Sequence, residues 1–185
     1  GDSSSTSTDM GMGTGRDMGP RMDAGPVDPP PVTCTPPIAL ADTSAPDHVV
    51  GDGSPASCTN ASLAAAVAQG GVITFDCGVS DHSIAISAQL ELRTDVDTII
   101  DGGGTITLDG GGVARIFEYD SPGYRTNDTR VVLQRLTLAN AAAPATDFTP
   151  QDTDNPECAW GYKDGEGGAI RMRDGRLHVI DCVFQ

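Results

Sequence analysis

The sequence predicts an all-β fold in which very short strands are stacked in successive layers, as in a solenoid. Aromatic residues make up 4% of the 185 residues and glycine contributes 23, so we expect a core of small aliphatic side chains. From residue 48 onwards, aliphatic or alternating runs of three or four residues are separated by Gly, Asp and Asn, a pattern typical of short strands and tight turns.

Three segments are imperfect copies of one pattern, in which an aliphatic pair is followed by a few polar or glycine residues and then by a second aliphatic run. They are residues 98–108, 131–140 and 178–184. Copies of this kind favour a solenoid, whose layers pair in parallel about 4.8 Å apart. The alternative is an antiparallel sandwich, which predicts more evenly spaced strands of about five residues.

One short helix is predicted within residues 60–71. Asn60 or Ser62 can cap its first turn, and Gly70 is the expected stop. Its apolar residues Leu63, Ala66 and Val67 fall on one face. Because this face is small, the helix is expected to cover the end of a larger structure rather than to stand alone.

Residues 1–47 are predicted to be a disordered tether. They contain no aromatic residue and eight of the 13 prolines. Such a stretch cannot bury enough apolar area to offset the entropy lost on ordering. The folded part is therefore expected to span residues 48–185.

Charge and hydropathy exclude two classes of partner. Lys and Arg number 11 against 26 Asp and Glu, giving a net charge of −15 that repels nucleic acid and anionic membrane surfaces. The chain also lacks an apolar run long enough for a membrane span. We expect neither a nucleic-acid partner nor a transmembrane segment.

The five cysteines lack the spacing of a zinc site. Cys58 and Cys77 bracket a short apolar segment, and a disulfide closing that loop is predicted to contribute about 3 kcal/mol. Cys158 with Cys182 is the second predicted bridge, which leaves Cys34 without an assigned partner. Disulfides indicate an exported protein, while five reduced thiols in a cytosolic protein are the alternative.

The long interruption from residue 140 to 167 contains the candidate ligand-binding residues. Trp160 and Tyr162 could stack on a sugar ring, with Arg171 and Arg173 on the following strand as polar partners. A solvated acidic loop, balanced by surface arginines, is the simpler interpretation.

Calcium is the one cofactor considered, and no catalytic residue is assigned. Asp152, Asp154 and Glu157 supply the oxygen ligands that Ca²⁺ prefers, although the remaining positions of a calcium-binding loop are missing. Asp101 and Asp109 could form a carboxylate pair for hydrolysis, but an Asp beside glycines more often closes a turn.

From residue 48 the chain resembles the N-terminal part of bacterial right-handed parallel β-helix proteins. These belong to the pectin-lyase-like superfamily and include repeat proteins similar to polymorphic outer-membrane adhesins. The elements that carry the resemblance are the segments 70–78, 98–104, 136–138, 167–170 and 177–184. The resemblance implies a right-handed parallel β-helix with a capping helix, continued by further coils after Gln185.

The β-helix resemblance also implies an exported protein displayed on a bacterial surface. The Gly-, Asp- and Ser-rich opening with its tether resembles the region that follows the lipidated Cys of bacterial lipoproteins, which implies an anchor through a Cys before residue 1. We expect a non-catalytic adhesive or structural role, with polysaccharide or cell-surface glycan as the partner. The alternative is a polysaccharide lyase or hydrolase that acts on an acidic polysaccharide. The last layer, residues 177–184, would expose an unpaired edge and favour self-association.

Overall fold

The computed structural model describes residues 38–123, 125–143 and 167–185. The strands in these ranges are β1 His48–Val50, β2 Gly71–Phe75, β3 His82–Ala85, β4 Leu90–Glu91, β5 Thr98–Asp109, β6 Phe117–Asp120, β7 Arg130–Ala139, β8 Ile170–Arg173, β9 Arg176–Ile180 and β10 Val183–Phe184. The helix α1 spans Asn60–Val67, and a short 3-10 turn spans Pro55–Ser57. The predicted all-β class is confirmed to this extent: the described chain is mostly strand, with one short helix.

The strands form two sheets, and every pairing between described strands is parallel. The larger sheet has the order β1-β2-β5-β7-β10, with β3 also paired to β5 and β9 to β7. The smaller sheet has the order β4-β6-β8. From β3 to β9 the chain alternates between the two sheets, and each strand from β5 to β9 pairs with the strand two before it in the sequence.

The three copies of the repeated pattern lie side by side in register. Ile100 of β5 pairs with Leu133 of β7, which in turn pairs with Val179 of β9. The aliphatic runs on either side of the glycines in 98–108 belong to one strand, β5, which is irregular between Asp101 and Ile106. The prediction that the copies pair in parallel is therefore confirmed.

The core is made of aliphatic side chains at matching positions in successive strands. Ile73, Ile100 and Leu133 are fully buried and lie in one row across β2, β5 and β7. Each contributes roughly 1.5–3 kcal/mol by leaving water. Phe117 and Tyr119 of β6 are the two largest fully buried side chains.

Helix α1 begins at Asn60, at the start of the predicted stretch, but its N-cap is Thr59. The extended backbone of Thr59 lets its side chain accept from the Ser62 amide, while the Ser62 hydroxyl accepts from the Thr59 amide. The predicted caps Asn60 and Ser62 are thus wrong, although Ser62 completes the capping box.

The predicted apolar face of α1 is confirmed. Leu63, Ala66 and Val67 are buried, and the helix packs against β1 and β4. The chain leaves the helix through Gly70, whose φ of +74° favours glycine, as the predicted stop requires.

Residues 41–47, which the sequence assigns to the tether, are held against the larger sheet. The Ala41 amide donates to the Gln134 side chain at 2.8 Å, and the Thr43 hydroxyl donates to Asp101 at 2.8 Å. The Asp47 amide donates to the Val72 carbonyl at 2.8 Å. The sequence signal for this attachment is weak because the anchoring contacts are polar and lie far away along the chain.

A disulfide joins Cys58 to Cys77, as the sequence predicts, with their Cα atoms 5.6 Å apart. It ties the turn before α1 to the segment after β2. Gly51 passes directly beside this bridge, and a Cβ there would lie 2.6 Å from the Cys58 sulfur. The bridge indicates folding in an oxidising compartment.

Candidate functional site

Among the described strands of the larger sheet, Asp101 is the one buried charged residue, and it is 3% exposed. Its oxygens accept five hydrogen bonds. Arg135 donates from Nε at 2.9 Å and also from Nη2, and Gln134 Nε2 donates at 2.8 Å. The Thr43 hydroxyl donates at 2.8 Å and the Gly103 amide at 2.9 Å. We call these five residues the Asp101 centre.

The irregularity in β5 produces the Asp101 centre. Asp101 lies directly beside Gln134 in the parallel register, but residues 102–105 then stand opposite the single residue Arg135. Arg135 has a φ of +52°, which turns β7 at this point. Gly102 must lack a side chain, because a Cβ there would lie 2.5 Å from the Arg135 carbonyl oxygen.

The Asp101 carboxylate is held in its ionised form. Burial alone raises its pKa, but the hydrogen bonds from Arg135, Gln134, Gly103 and Thr43 more than offset this and lower the pKa to about 2. A carboxylate has roughly four lone-pair positions, fewer than the five N–H and O–H groups that donate to Asp101, so its capacity to accept hydrogen bonds is filled. Asp101 is therefore suited to holding the structure together rather than to moving a proton in catalysis.

A small pocket opens beside the Asp101 centre, with a volume of about 140 Å³. This is below the roughly 300–1,000 Å³ of sites for drug-sized ligands, so it suits one small polar group. Its lining residues are Thr43, Thr74, Phe75, Asp101, Gly102, Gly103, Thr105 and Arg135.

A second charged centre lies in the smaller sheet around Glu118, which is 6% exposed. Its Oε2 accepts from Arg115 Nη1 at 2.7 Å, and its Oε1 accepts from Arg171. Glu118 and Arg171 are direct partners in the β6–β8 register, as are Asp120 and Arg173, whose charged groups lie 3.2 Å apart. We call Arg115, Glu118 and Arg171 the Glu118 centre.

Two of the predicted sugar-binding residues are described, and both pair with β6. Arg171 is 6% exposed and bonded to Glu118, while Arg173 is about one third exposed and paired with Asp120. These contacts hold β8 to β6 and leave little of Arg171 for a ligand. Trp160 and Tyr162, the aromatic half of the prediction, lie outside the described residues.

The predicted calcium ligands Asp152, Asp154 and Glu157 also lie outside the described residues. Among the residues that are described, no group of three or more His, Cys, Asp or Glu could hold a metal ion. Asp101 and Asp109 both close turns, because each accepts the amide two residues ahead, from Gly103 and Gly111. This agrees with the turn interpretation of the two Asp-Gly segments.

Cys182 has no disulfide partner in the part of the chain that the structure describes. Its predicted partner Cys158 lies outside that part, as does Cys34, so the second bridge stays a prediction. Burial raises the pKa of the Cys182 thiol, which keeps it protonated and unreactive at neutral pH.

Sequence reasoning missed Thr43, Gln134, Arg135, Arg115 and Glu118. For Thr43 the partner is 58 residues away in the sequence, so no local pattern indicates it. For Glu118 a signal existed. Strand β6 carries acids at every second residue and β8 carries arginines at the same spacing, which predicts pairing between neighbouring parallel strands.

Comparison with known proteins adds no family to this picture. No protein-family model, no curated protein and no solved structure matches the chain. The described residues also contain no helix with the length and apolarity that crossing a membrane requires.

Proposed function

We propose that this protein is an exported structural or adhesive module built as a right-handed parallel β-helix. Support comes from the alternation between two parallel sheets, in which each turn of the chain lies beside the previous one. Gly71, Thr98, Val131 and Leu177 occupy the same position in four successive layers.

The observation that supports a non-catalytic role is that the two buried carboxylates of the described residues, Asp101 and Glu118, are both bonded to neighbouring side chains. Asp101 is saturated by five donors, and Glu118 is shared by two arginines. Both carboxylates link neighbouring layers through the parallel register. Carboxylates whose hydrogen bonds are all made within the protein favour a rigid scaffold over a substrate-binding groove.

The disulfide and the acidic composition support display outside the cell, on a bacterial surface. The Cys58–Cys77 bridge persists where thiols are oxidised. A net charge of −15 keeps such a surface module soluble. A polysaccharide or cell-surface glycan is the partner we propose.

Self-association is the second interaction we propose, through the apolar face of β9 and β10. Val179 and Phe184 are 41% and 51% exposed, whereas their register partners Leu133 and Leu138 are 0% and 1% exposed. Among the described residues, the aliphatic rows of the larger sheet therefore continue onto exposed side chains in β9 and β10. A second copy presents the same side chains and can cover them.

The adhesive role is tested by incubating the full chain with immobilised and soluble polygalacturonate and alginate. We expect retention on at least one polymer without new reducing ends or unsaturated products. Cleavage that scales with protein concentration would contradict the proposal and favour a polysaccharide lyase or hydrolase.

The self-association is tested by sedimentation velocity over a range of concentrations. We expect the wild-type chain to form concentration-dependent oligomers and Phe184→Asp to shift it to monomer. Val79→Asp is the matched control, because Val79 is fully exposed and follows β2, which β5 and β7 separate from β10 in the larger sheet. Identical monomeric profiles for all three chains would refute this interface.

A further inference from the structure

The segment before β1 forms a strap, residues 38–46, that crosses the outer side of the Asp101 centre. The Gln134 amide group both accepts from the Ala41 amide at 2.8 Å and donates to the Ala41 carbonyl at 3.1 Å. Thr43 then donates its hydroxyl to Asp101. Two of the strap's residues thus bind neighbouring positions of β5 and β7.

Most of the other side chains in the strap are exposed. Ile38 and Leu40 are 46% and 45% exposed, and Asp42 and Ser44 are also exposed. A segment with few buried apolar contacts opens more easily than the core beneath it. The sheet below is different, since Gln134 is fully buried and Leu133 beside it belongs to the aliphatic core.

The strap ends at a firm anchor. The Asp47 amide donates to the Val72 carbonyl, and the Val72 amide donates to the Asp47 carboxylate, both at 2.8 Å. Gly71 makes this contact sterically feasible, because a Cβ there would lie 2.5 Å from the Asp47 carboxylate. Movement of the strap would therefore stop at Asp47.

We propose that the strap is a latch, which releases from Gln134 and Asp101 and swings about Asp47 while the parallel sheets stay folded. Thr43 is one wall of the 140 Å³ pocket. Release of the latch removes that wall and converts the pocket into an open groove along Asp101 and Gln134. Access to these polar groups is then controlled by the strap.

The latch is tested by hydrogen–deuterium exchange on the full chain, followed by mass spectrometry. Thr43→Val keeps the shape of the side chain but removes the hydroxyl that bonds to a charged carboxylate. We expect exchange at the Ala41 amide to rise by about tenfold, the size of change that loss of such a bond produces. Exchange at Asp47 and in β5 should be unchanged.

Two further variants separate the latch from a general loss of stability. Thr43→Ser keeps the hydroxyl and is expected to retain wild-type exchange at Ala41. Thr105→Val removes an exposed hydroxyl from the same pocket without touching the strap, and should leave Ala41 unaffected.

Two results would overturn the latch. One is wild-type exchange at Ala41 as fast as in an unfolded peptide, which would mean that the strap is not held. The other is exchange at Ala41 and in β5 that rises together in Thr43→Val, which would mean that the strap opens only with the sheet.

Discussion

The two charged centres use similar residues in different surroundings. At the Glu118 centre one carboxylate serves two guanidinium groups, and all three side chains are at most 8% exposed. At the Asp101 centre the carboxylate is equally buried, but Arg135 is 36% exposed and three of the five donors are uncharged. The first centre lies inside the smaller sheet, and the second lies at an outer corner under the strap.

The difference shows how much each centre depends on charge. A buried carboxylate whose partners are two buried arginines cannot be removed without leaving positive charge in a medium of low dielectric constant. Removing the Asp101 carboxylate leaves three neutral donors and the partly exposed Arg135, and water can solvate the arginine. The Glu118 centre should therefore dominate stability, and the Asp101 centre should govern local motion.

The largest effect is expected for Glu118→Gln, which removes the charge that Arg115 and Arg171 share. We expect the free energy of unfolding to fall by about 3–5 kcal/mol, as measured by urea denaturation. Glu91→Gln is the matched control, because Glu91 pairs with Glu118 in the parallel register but is exposed. A loss below 1 kcal/mol for Glu118→Gln would show that the Glu118 centre is not a buried ion pair.

A smaller loss is expected for Asp101→Asn. The amide nitrogen would face donors from Arg135, Gln134 or Thr43, and we expect a loss of about 2–3 kcal/mol in the same urea assay. Asp109→Asn is the control, since Asp109 also closes an Asp-Gly turn but is only partly buried. Equal losses in the two variants would indicate that turn closure, not the hydrogen-bonded centre, is what matters.

Acid should weaken the Asp101 centre within a defined range. The pKa of Asp101 is about 2 in the folded chain, against an ordinary value of 3.8. Its contribution, about 2 kcal/mol, is therefore complete above pH 4 and is lost as the pH falls towards 2. The acid-dependent loss of stability over this range should be smaller in Asp101→Asn than in the wild type, as thermal denaturation at each pH would show.

The smallest effect is expected at the surface. Arg93 pairs with Asp95, and their side chains are 39% and 65% exposed. Arg93→Gln should leave the urea midpoint of unfolding nearly unchanged, and 1 M salt should reduce any remaining difference. A loss comparable to that of Glu118→Gln would remove the distinction between buried and exposed ion pairs on which the comparison depends.

Much of the fold could be predicted from local patterns. The repeated aliphatic runs in 98–108, 131–140 and 178–184 predicted that these segments form matching layers. The spacing of Leu63, Ala66 and Val67 predicted the buried face of α1. These signals are local because inward-facing positions repeat along each strand.

The charged centres were harder to predict, for physical reasons. Asp101 and Thr43 meet only because the strap folds back over β5, and 58 residues separate them in the sequence. Arg135 adopts a φ of +52°, which few non-glycine residues do, so its turn has no sequence signature. Arg171 looked like a surface residue because its partner, Glu118, is on a strand that precedes it by 53 residues.

The parallel in-register stack is the central claim, and cross-strand disulfide formation tests it most directly. Thr107 of β5 pairs with Thr137 of β7, so their Cα atoms should be about 5 Å apart. In a Cys182→Ser background, Thr107→Cys with Thr137→Cys is predicted to form a disulfide under mild oxidation. Asp109→Cys with Thr137→Cys, about 8 Å apart, should stay reduced. Efficient oxidation of the second pair and not the first would contradict the register.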